Sequence, residues 1–177
     1  NGGARAARSE LLCFVDADMR VHPDTFAAIA RIMASPRAIG GATGVTLERW
    51  SLGLACTYAI FMPMVWLTGM DTGVVFCRRR DFWAVGGYDE SRPIAEDVAF
   101  LWALRRLGRR RRARLVRATA AKAVASTRKF DRYGDWHYLT RVLPRVLAAG
   151  FRPSRMGSFI EDYWYRDRSS DERTDSG

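Results

Sequence analysis

Leu11-Leu12-Cys13-Phe14-Val15-Asp16-Ala17-Asp18 is the stretch that decides the fold class. Five apolar residues in a row, with no polar alternation, make a run of strand length covered on both faces, the pattern of a parallel sheet. Two carboxylates stand at its end. The C-terminal ends of parallel strands border the ligand crevice of α/β proteins, so Asp16 and Asp18 are expected to face one. Residues two apart on an extended chain point the same way, and the pair can address one polycation or hydrated metal. Mg²⁺ and Mn²⁺ prefer oxygen ligands and share their sphere with substrate phosphates, so one or two protein carboxylates suffice. The same Asp-x-Asp also fits a turn with two solvated side chains.

Outward from this run the chain alternates. His22-Pro23-Asp24 makes a turn before a helix over 25–34, in which Phe26, Ile29, Ile32 and Met33 recur at helical spacing. A strand is expected over 40–47 and another over 72–77, and Arg78-Arg79-Arg80-Asp81 opens a helix that ends near Gly86-Gly87. A longer helix over 96–107 carries Phe100, Leu101, Leu104 and Leu107 on one face, with Gly108 as its stop. Short strands follow near 114–116 and 122–125, then a helix over 138–148 containing Pro144. This alternation implies α/β architecture with a mostly parallel sheet flanked by helices.

The chain has 177 residues, 48% hydrophobic and 12% aromatic, enough to bury a core in one domain. That domain is expected over 1–165, with the polar, charged segment 166–177 a disordered tail. The opening Asn1-Gly2-Gly3 has neither an initiator methionine nor a signal pattern, and reads as the start of a piece of something longer. Net charge is +10, but 105–117 alone holds eight arginines and no acid, leaving 21 basic residues against 19 acidic ones elsewhere. A charge run between a helix end and a strand reads as an exposed loop; its functional alternative is an anionic membrane leaflet. Cys13, Cys56 and Cys77 are odd in number, far apart and in apolar surroundings, which points to reduced thiols and a cytoplasmic setting. The 21 uncharged residues of 50–70 are long enough for a membrane span, but Pro63 in their middle favours a helix, a break and a second segment. The expected element is buried, or else amphipathic and membrane-facing.

A second acidic pair, Glu96-Asp97, opens the 96–107 helix after Gly86-Gly87-Tyr88-Asp89-Glu90 and Pro93. Acids in a first helical turn are favoured by the helix dipole, which is reason enough for them to be there. Asp97, however, lies four and seven residues before Leu101 and Leu104, which sets it along the inward stripe. An inward carboxylate at a helix start suits a general base.

Taken in order, Phe14-Val15-Asp16-Ala17-Asp18, Gly73-Val74-Val75-Phe76-Cys77-Arg78-Arg79, Gly86-Gly87-Tyr88-Asp89-Glu90 and Glu96-Asp97-Val98-Ala99-Phe100 resemble a family 2 glycosyltransferase with the GT-A fold, over about residues 1 to 135. The resemblance implies an inverting, metal-dependent hexosyltransferase that moves a sugar from a nucleotide-sugar donor to an acceptor hydroxyl. It implies Asp18 as the direct metal ligand, Asp16 as the ribose or outer carboxylate, Mg²⁺ or Mn²⁺ as cofactor, and Asp97 as the base. Gly87, Tyr88, Asp89 and Glu96 would form the acceptor loop. Ser126-Thr127-Arg128-Lys129-Phe130 resembles the basic motif that many members place near the diphosphate, with Arg128 and then Lys129 in that role; a solvated basic loop is the other reading.

Members of this family begin with a base- and ribose-binding strand well ahead of the Asp-x-Asp, and only about fifteen residues precede Asp16 here. The resemblance therefore implies a Rossmann-like GT-A sheet lacking its first strand or strands, and a chain that by itself binds nucleotide sugar weakly and is inactive. The acceptor would be a saccharide or a lipid-linked molecule, reached at the cytoplasmic face of a membrane through peripheral contact by the arginine cluster and the aromatic-rich uncharged stretch. His22 reads as a turn residue, while Asp135-Trp136-His137-Tyr138 packs the following helix or lies beside the acceptor, with His137 available as an extra metal ligand. Two other classes compete. A nucleic-acid-binding module explains the charge but neither acidic pair, and a nucleotidyltransferase would want a lysine- and glycine-rich phosphate loop that is not present.

Overall fold

The computed structural model describes residues 1–68, 71–92 and 96–144. After a short helix α1 (Gly2–Ala6) come strand β1 (Leu11–Phe14), strand β2 (Met19–Arg20), helix α2 (Thr25–Met33), strands β3 (Ala38–Ala42) and β4 (Val45–Leu47), and helix α3 (Leu52–Thr68). Strand β5 (Val75–Arg78), helices α4 (Arg79–Ala84) and α5 (Glu96–Arg110), strand β6 (Arg114–Arg117), a 3₁₀ turn at Thr119–Ala121, strand β7 (Ala123–Ala125) and helix α6 (Arg128–Tyr133) follow. A π-helical turn at Tyr138–Val142 stands where the 138–148 helix was expected. The end of that expected helix, the 166–177 tail and Pro93 lie outside the described residues.

The protein is α/β, and its main sheet has the order β1-β5-β3-β6. It is mixed, which corrects the mostly parallel expectation: β5 pairs antiparallel with both β1 and β3, and only β3 and β6 pair in parallel. The reason lies in the connection. Thr43 and Gly44 donate to the Val74 and Thr72 carbonyls, so β5 enters the sheet where β3 leaves it and runs back. β1, β3 and β6 consequently share one direction and end at one edge.

Each of these three strands resumes past that edge in a second sheet of order β2-β7-β4. The expected single strand over 40–47 is thus two, broken at Gly44. Gly44 sits at φ 78°, a conformation other L-residues avoid.

Side chains of the main sheet alternate between two cores. Leu12, Val75 and Cys77 pack with Phe82 of α4 and Phe100, Leu101 and Leu104 of α5. Val74 and Phe76 pack on the opposite face with Ile29 and Met33 of α2. Phe26, which shares the helical spacing of Ile29 and Met33, is exposed, whereas Thr25 is buried and donates its hydroxyl to the Ala121 carbonyl at 3.2 Å.

α3 is continuous through Pro63, where a break was expected. Nor is it buried or amphipathic as a whole: Leu54 and Thr57 are covered, whereas Leu52 and Ile60 on the same uncharged helix are exposed. Among the described residues no helix is long and apolar enough to cross a membrane.

The arginine run is also not one loop. α5 continues two residues past Gly108, and the reversal falls at Arg112, φ 55°. Gly108 is needed for packing, since a Cβ there would lie 2.7 Å from the Ala113 carbonyl oxygen. Arg111 turns back to the fully buried Asp81 at 2.5 Å, and Arg117 on β6 pairs with the buried Asp71 at 2.5 Å. Removing a partner from a buried ion pair leaves an uncompensated charge, a loss of about 3–5 kcal/mol when both partners are buried. Arg111 is 46% exposed, so Arg111→Ala is expected to destabilise by about 2–3 kcal/mol in urea unfolding. Arg110→Ala should change stability by less than about 0.5 kcal/mol. Equal effects of the two substitutions would refute the Arg111–Asp81 lock.

Candidate active site

The break between the two sheets holds the first acidic motif. β1 ends at Phe14, and the chain turns through Asp16-Ala17-Asp18, with the Met19 amide donating to the Asp16 carbonyl at 3.1 Å, before entering β2. Phe14 anchors this turn. Its ring stacks on Phe82 at 5.1 Å and meets Tyr88 at 4.9 Å and Phe100 at 6.3 Å between centroids. Phe14 stands two residues before Asp16, Phe100 three after Asp97, and Tyr88 lies in the glycine turn. One aromatic cluster therefore gathers all three motifs.

The acids meet as a consequence. Partial burial, on a side chain that still reaches solvent, and the charges of Asp18 and Glu96 raise the Asp16 carboxyl above the usual carboxylate range. Burial first, then the charges of Glu96 and Asp16, raises that of Asp97, against an opposing contribution from the Tyr88 hydroxyl. Among the described residues no ion pair neutralises Asp16, Asp18, Glu96 or Asp97. The Tyr88 hydroxyl is buried against Asp97 without closing a hydrogen bond of normal geometry, and burial, with Asp97 next, pushes its pKa upward.

The glycine turn is held by a residue whose part was not legible in the sequence. The Asn1 side chain brackets Tyr88, donating to its carbonyl at 2.8 Å and accepting from its amide at 2.9 Å. A Cβ at Gly87, φ 73°, would lie 2.6 Å from the Asn1 side-chain oxygen. Asp89, expected to contact an acceptor, instead braces the turn locally: it accepts from the Ser91 hydroxyl at 2.5 Å and from Arg92 at 3.0 Å, and these bonds hold its carboxyl below the usual range.

The basic motif follows β7. Met19, which follows Asp18, pairs with Ala125, which precedes Ser126. Arg128, exposed, and Lys129 begin α6 two residues on, as part of a helix where a loop was a possible reading. His137 is buried, with its Nδ1 2.6 Å from the Gly134 carbonyl and its ring against Phe130 and Tyr138. That is packing, as is the role of Asp135, which accepts from Arg49 at 2.7 Å. His22 occupies its expected turn and accepts from the Asp24 amide.

Cys13, Cys56 and Cys77 are all free thiols, and burial lifts Cys13 to about 11 and Cys77 to about 12. Among the described residues no group of three or more His, Cys, Asp or Glu side chains is arranged to hold a metal by itself. Asp16 and Asp18 nevertheless offer unneutralised hard oxygen donors, a set suited to a divalent ion that keeps other oxygens in its sphere. No family model, curated protein or solved structure matches this chain.

Like-charged carboxylates without cations oppose folding, and the sign of the effect follows from linkage. A carboxyl raised above its ordinary 3.8 in the folded state binds its proton more tightly there than in the unfolded chain. Its favourable contribution is therefore full below 3.8 and is lost as pH rises through the raised value. Asp97→Asn is expected to raise the melting temperature at pH 7 by on the order of 1–3 °C, with the gain disappearing near pH 3.5. Thermal unfolding followed by circular dichroism at the two pH values checks this. A loss of stability at pH 7 would show that Asp97 has a stabilising partner.

Proposed function

We propose that this chain forms the metal- and acceptor-binding part of an inverting, family 2-type glycosyltransferase of GT-A fold, which moves a sugar from a nucleotide diphosphate to an acceptor hydroxyl. The observation that carries this reading is the convergence of Asp16, Asp18, Glu96 and Asp97 with no ion-pair partner among the described residues. Two motifs some eighty residues apart meet there, at a cost to stability that a purely structural site avoids.

Asp97 takes the proton of the attacking hydroxyl. Its carboxyl, lifted by burial and by its acidic neighbours, is a stronger base than a solvated aspartate and is better matched to that proton. Tyr88, buried against it, limits how far its pKa rises. Asp18, with Asp16 beside it, would hold a divalent ion that neutralises the departing diphosphate. Arg128 and Lys129, following β7, offer cations to the same leaving oxygens. Attack from the side opposite the leaving group inverts the anomeric carbon.

A screen of nucleotide sugars against the full-length protein, with and without Mn²⁺, tests the reading. Asp97→Asn is expected to lower transfer by about 10²- to 10⁴-fold while leaving donor binding in place. Full activity in that variant would sink the assignment of the base. Because the Tyr88 hydroxyl lowers the Asp97 pKa, Tyr88→Phe should move the acid limb of the kcat/KM profile to higher pH. An unmoved limb would exclude the contact from catalysis.

A further inference from the structure

An open cleft lies near the end of β6. Between α3 and the β6–β7 connection is a cavity of about 500 Å³, a volume within the range of small-molecule pockets. Its two walls differ in chemistry. α3 supplies Tyr58, Met62 and Pro63, and the opposite side supplies Arg117, Thr119 and Lys122.

The charge balance of the second wall comes down to one residue. Arg117 is committed to the buried Asp71, donating through Nε at 2.7 Å and approaching through Nη2 at 2.5 Å. Among the described residues Lys122 has no ion-pair or hydrogen-bond partner and no carboxylate lines the cavity. It is thus a net cation facing an apolar wall. The helix that supplies this wall carries no charged residue, and outside the cavity lining its Leu52 and Ile60 are 72% and 50% exposed. Such a helix has no polar face to turn toward water.

We infer that this cavity binds an anionic amphiphile, with a phosphate head on Lys122 and Thr119 and a hydrocarbon chain along Tyr58, Met62 and Pro63 of α3. Both halves of the ligand are called for. A free inorganic anion would leave the apolar wall wet, and a neutral hydrocarbon would seal Lys122 away from water without a counter-charge. The head would sit at the end of β6, three strand spacings or about 14 Å from the end of β1. The cavity is therefore a site separate from Asp16 and Asp18.

Isothermal titration below the micelle concentration, with dodecyl phosphate as probe, tests the inference. Binding is expected for dodecyl phosphate and to weaken at least tenfold for inorganic phosphate and for dodecyl maltoside. Each methylene removed from the chain should weaken it up to about fourfold, the factor that about 0.8 kcal/mol per buried methylene represents. Lys122→Met, which keeps the stem and removes the charge, and Met62→Gln, which polarises the wall, should each weaken binding about tenfold. Arg110→Ala should leave it within twofold. Equal binding of inorganic phosphate, equal binding of dodecyl maltoside, or an equal loss in Arg110→Ala would each overturn the site.

Flotation with phosphatidylglycerol vesicles separates the two sources of such a ligand. Lys122-dependent flotation identifies a bilayer lipid, and dodecyl phosphate binding without flotation identifies a free amphiphile; either supports the site. No turnover is required, so the outcome is independent of the transfer chemistry.

Discussion

Three strands of one direction, β1, β3 and β6, stop at a common edge and restart in a second sheet, and the rest of the structure depends on that shared break. At each interruption the backbone leaves its ladder, and something other than strand pairing must hold it. At β3 the holding is done by Gly44 and the Thr43 hydroxyl, which accepts from the Val74 amide. At β6 it is done by Arg117 on Asp71 and by the 3₁₀ turn. At β1 it is done by the aromatic packing of Phe14 and by the Met19 amide on the Asp16 carbonyl, and among the described residues the side chains of Asp16 and Asp18 enter no ion pair.

This difference explains why the carboxylates cluster where they do. Phe14, Phe82, Tyr88 and Phe100 form a rigid floor under the end of β1, and the first turn of α5 and the glycine turn are both tied to that floor. Packing of rings brings the acids together against their mutual repulsion. The hydrophobic term is large enough for this: burying an aromatic side chain contributes about 1.5–3 kcal/mol, against fractions of a kcal/mol for each partly solvated like-charge pair.

Much of this could be read from the residues. β1 was legible as a continuous apolar run of strand length, and α5 by the three-to-four spacing of Phe100, Leu101 and Leu104; that Leu12 faces one core and Leu11 and Cys13 the other is visible only in the fold. The acidic pairs stand out in the sequence by their places, one at the end of an apolar run and one along the inward stripe of a helix start. What escaped depends on contacts distant in sequence. The reversed direction of β5 follows from where α3 returns the chain, and no local pattern encodes it. Continuity of α3 through Pro63 likewise overrides a strong local breaker. The Asn1 bracket on Tyr88 spans 87 residues, and the cavity beside α3 arises only when that helix meets the β6–β7 connection. Charge runs misled most: Arg111 and Arg117 look solvated in sequence yet each neutralises a buried acid.

Those two arginines also provide the internal control for the site. Among the described residues the covered aspartates are treated in two ways. Asp71 and Asp81 are almost wholly enclosed, and each faces a guanidinium, as the expense of desolvating a lone carboxylate requires. Asp97 and Asp16 are partly enclosed beside further acids, with no guanidinium among the described residues. A chain with arginines to spare, eight of them within 105–117, has the means to neutralise any acid whose role is structural. That these acids have no ion-pair partner among the described residues, in a fold that pairs Asp71 and Asp81, is the physical support for the proposed reading of them as a cation-binding site.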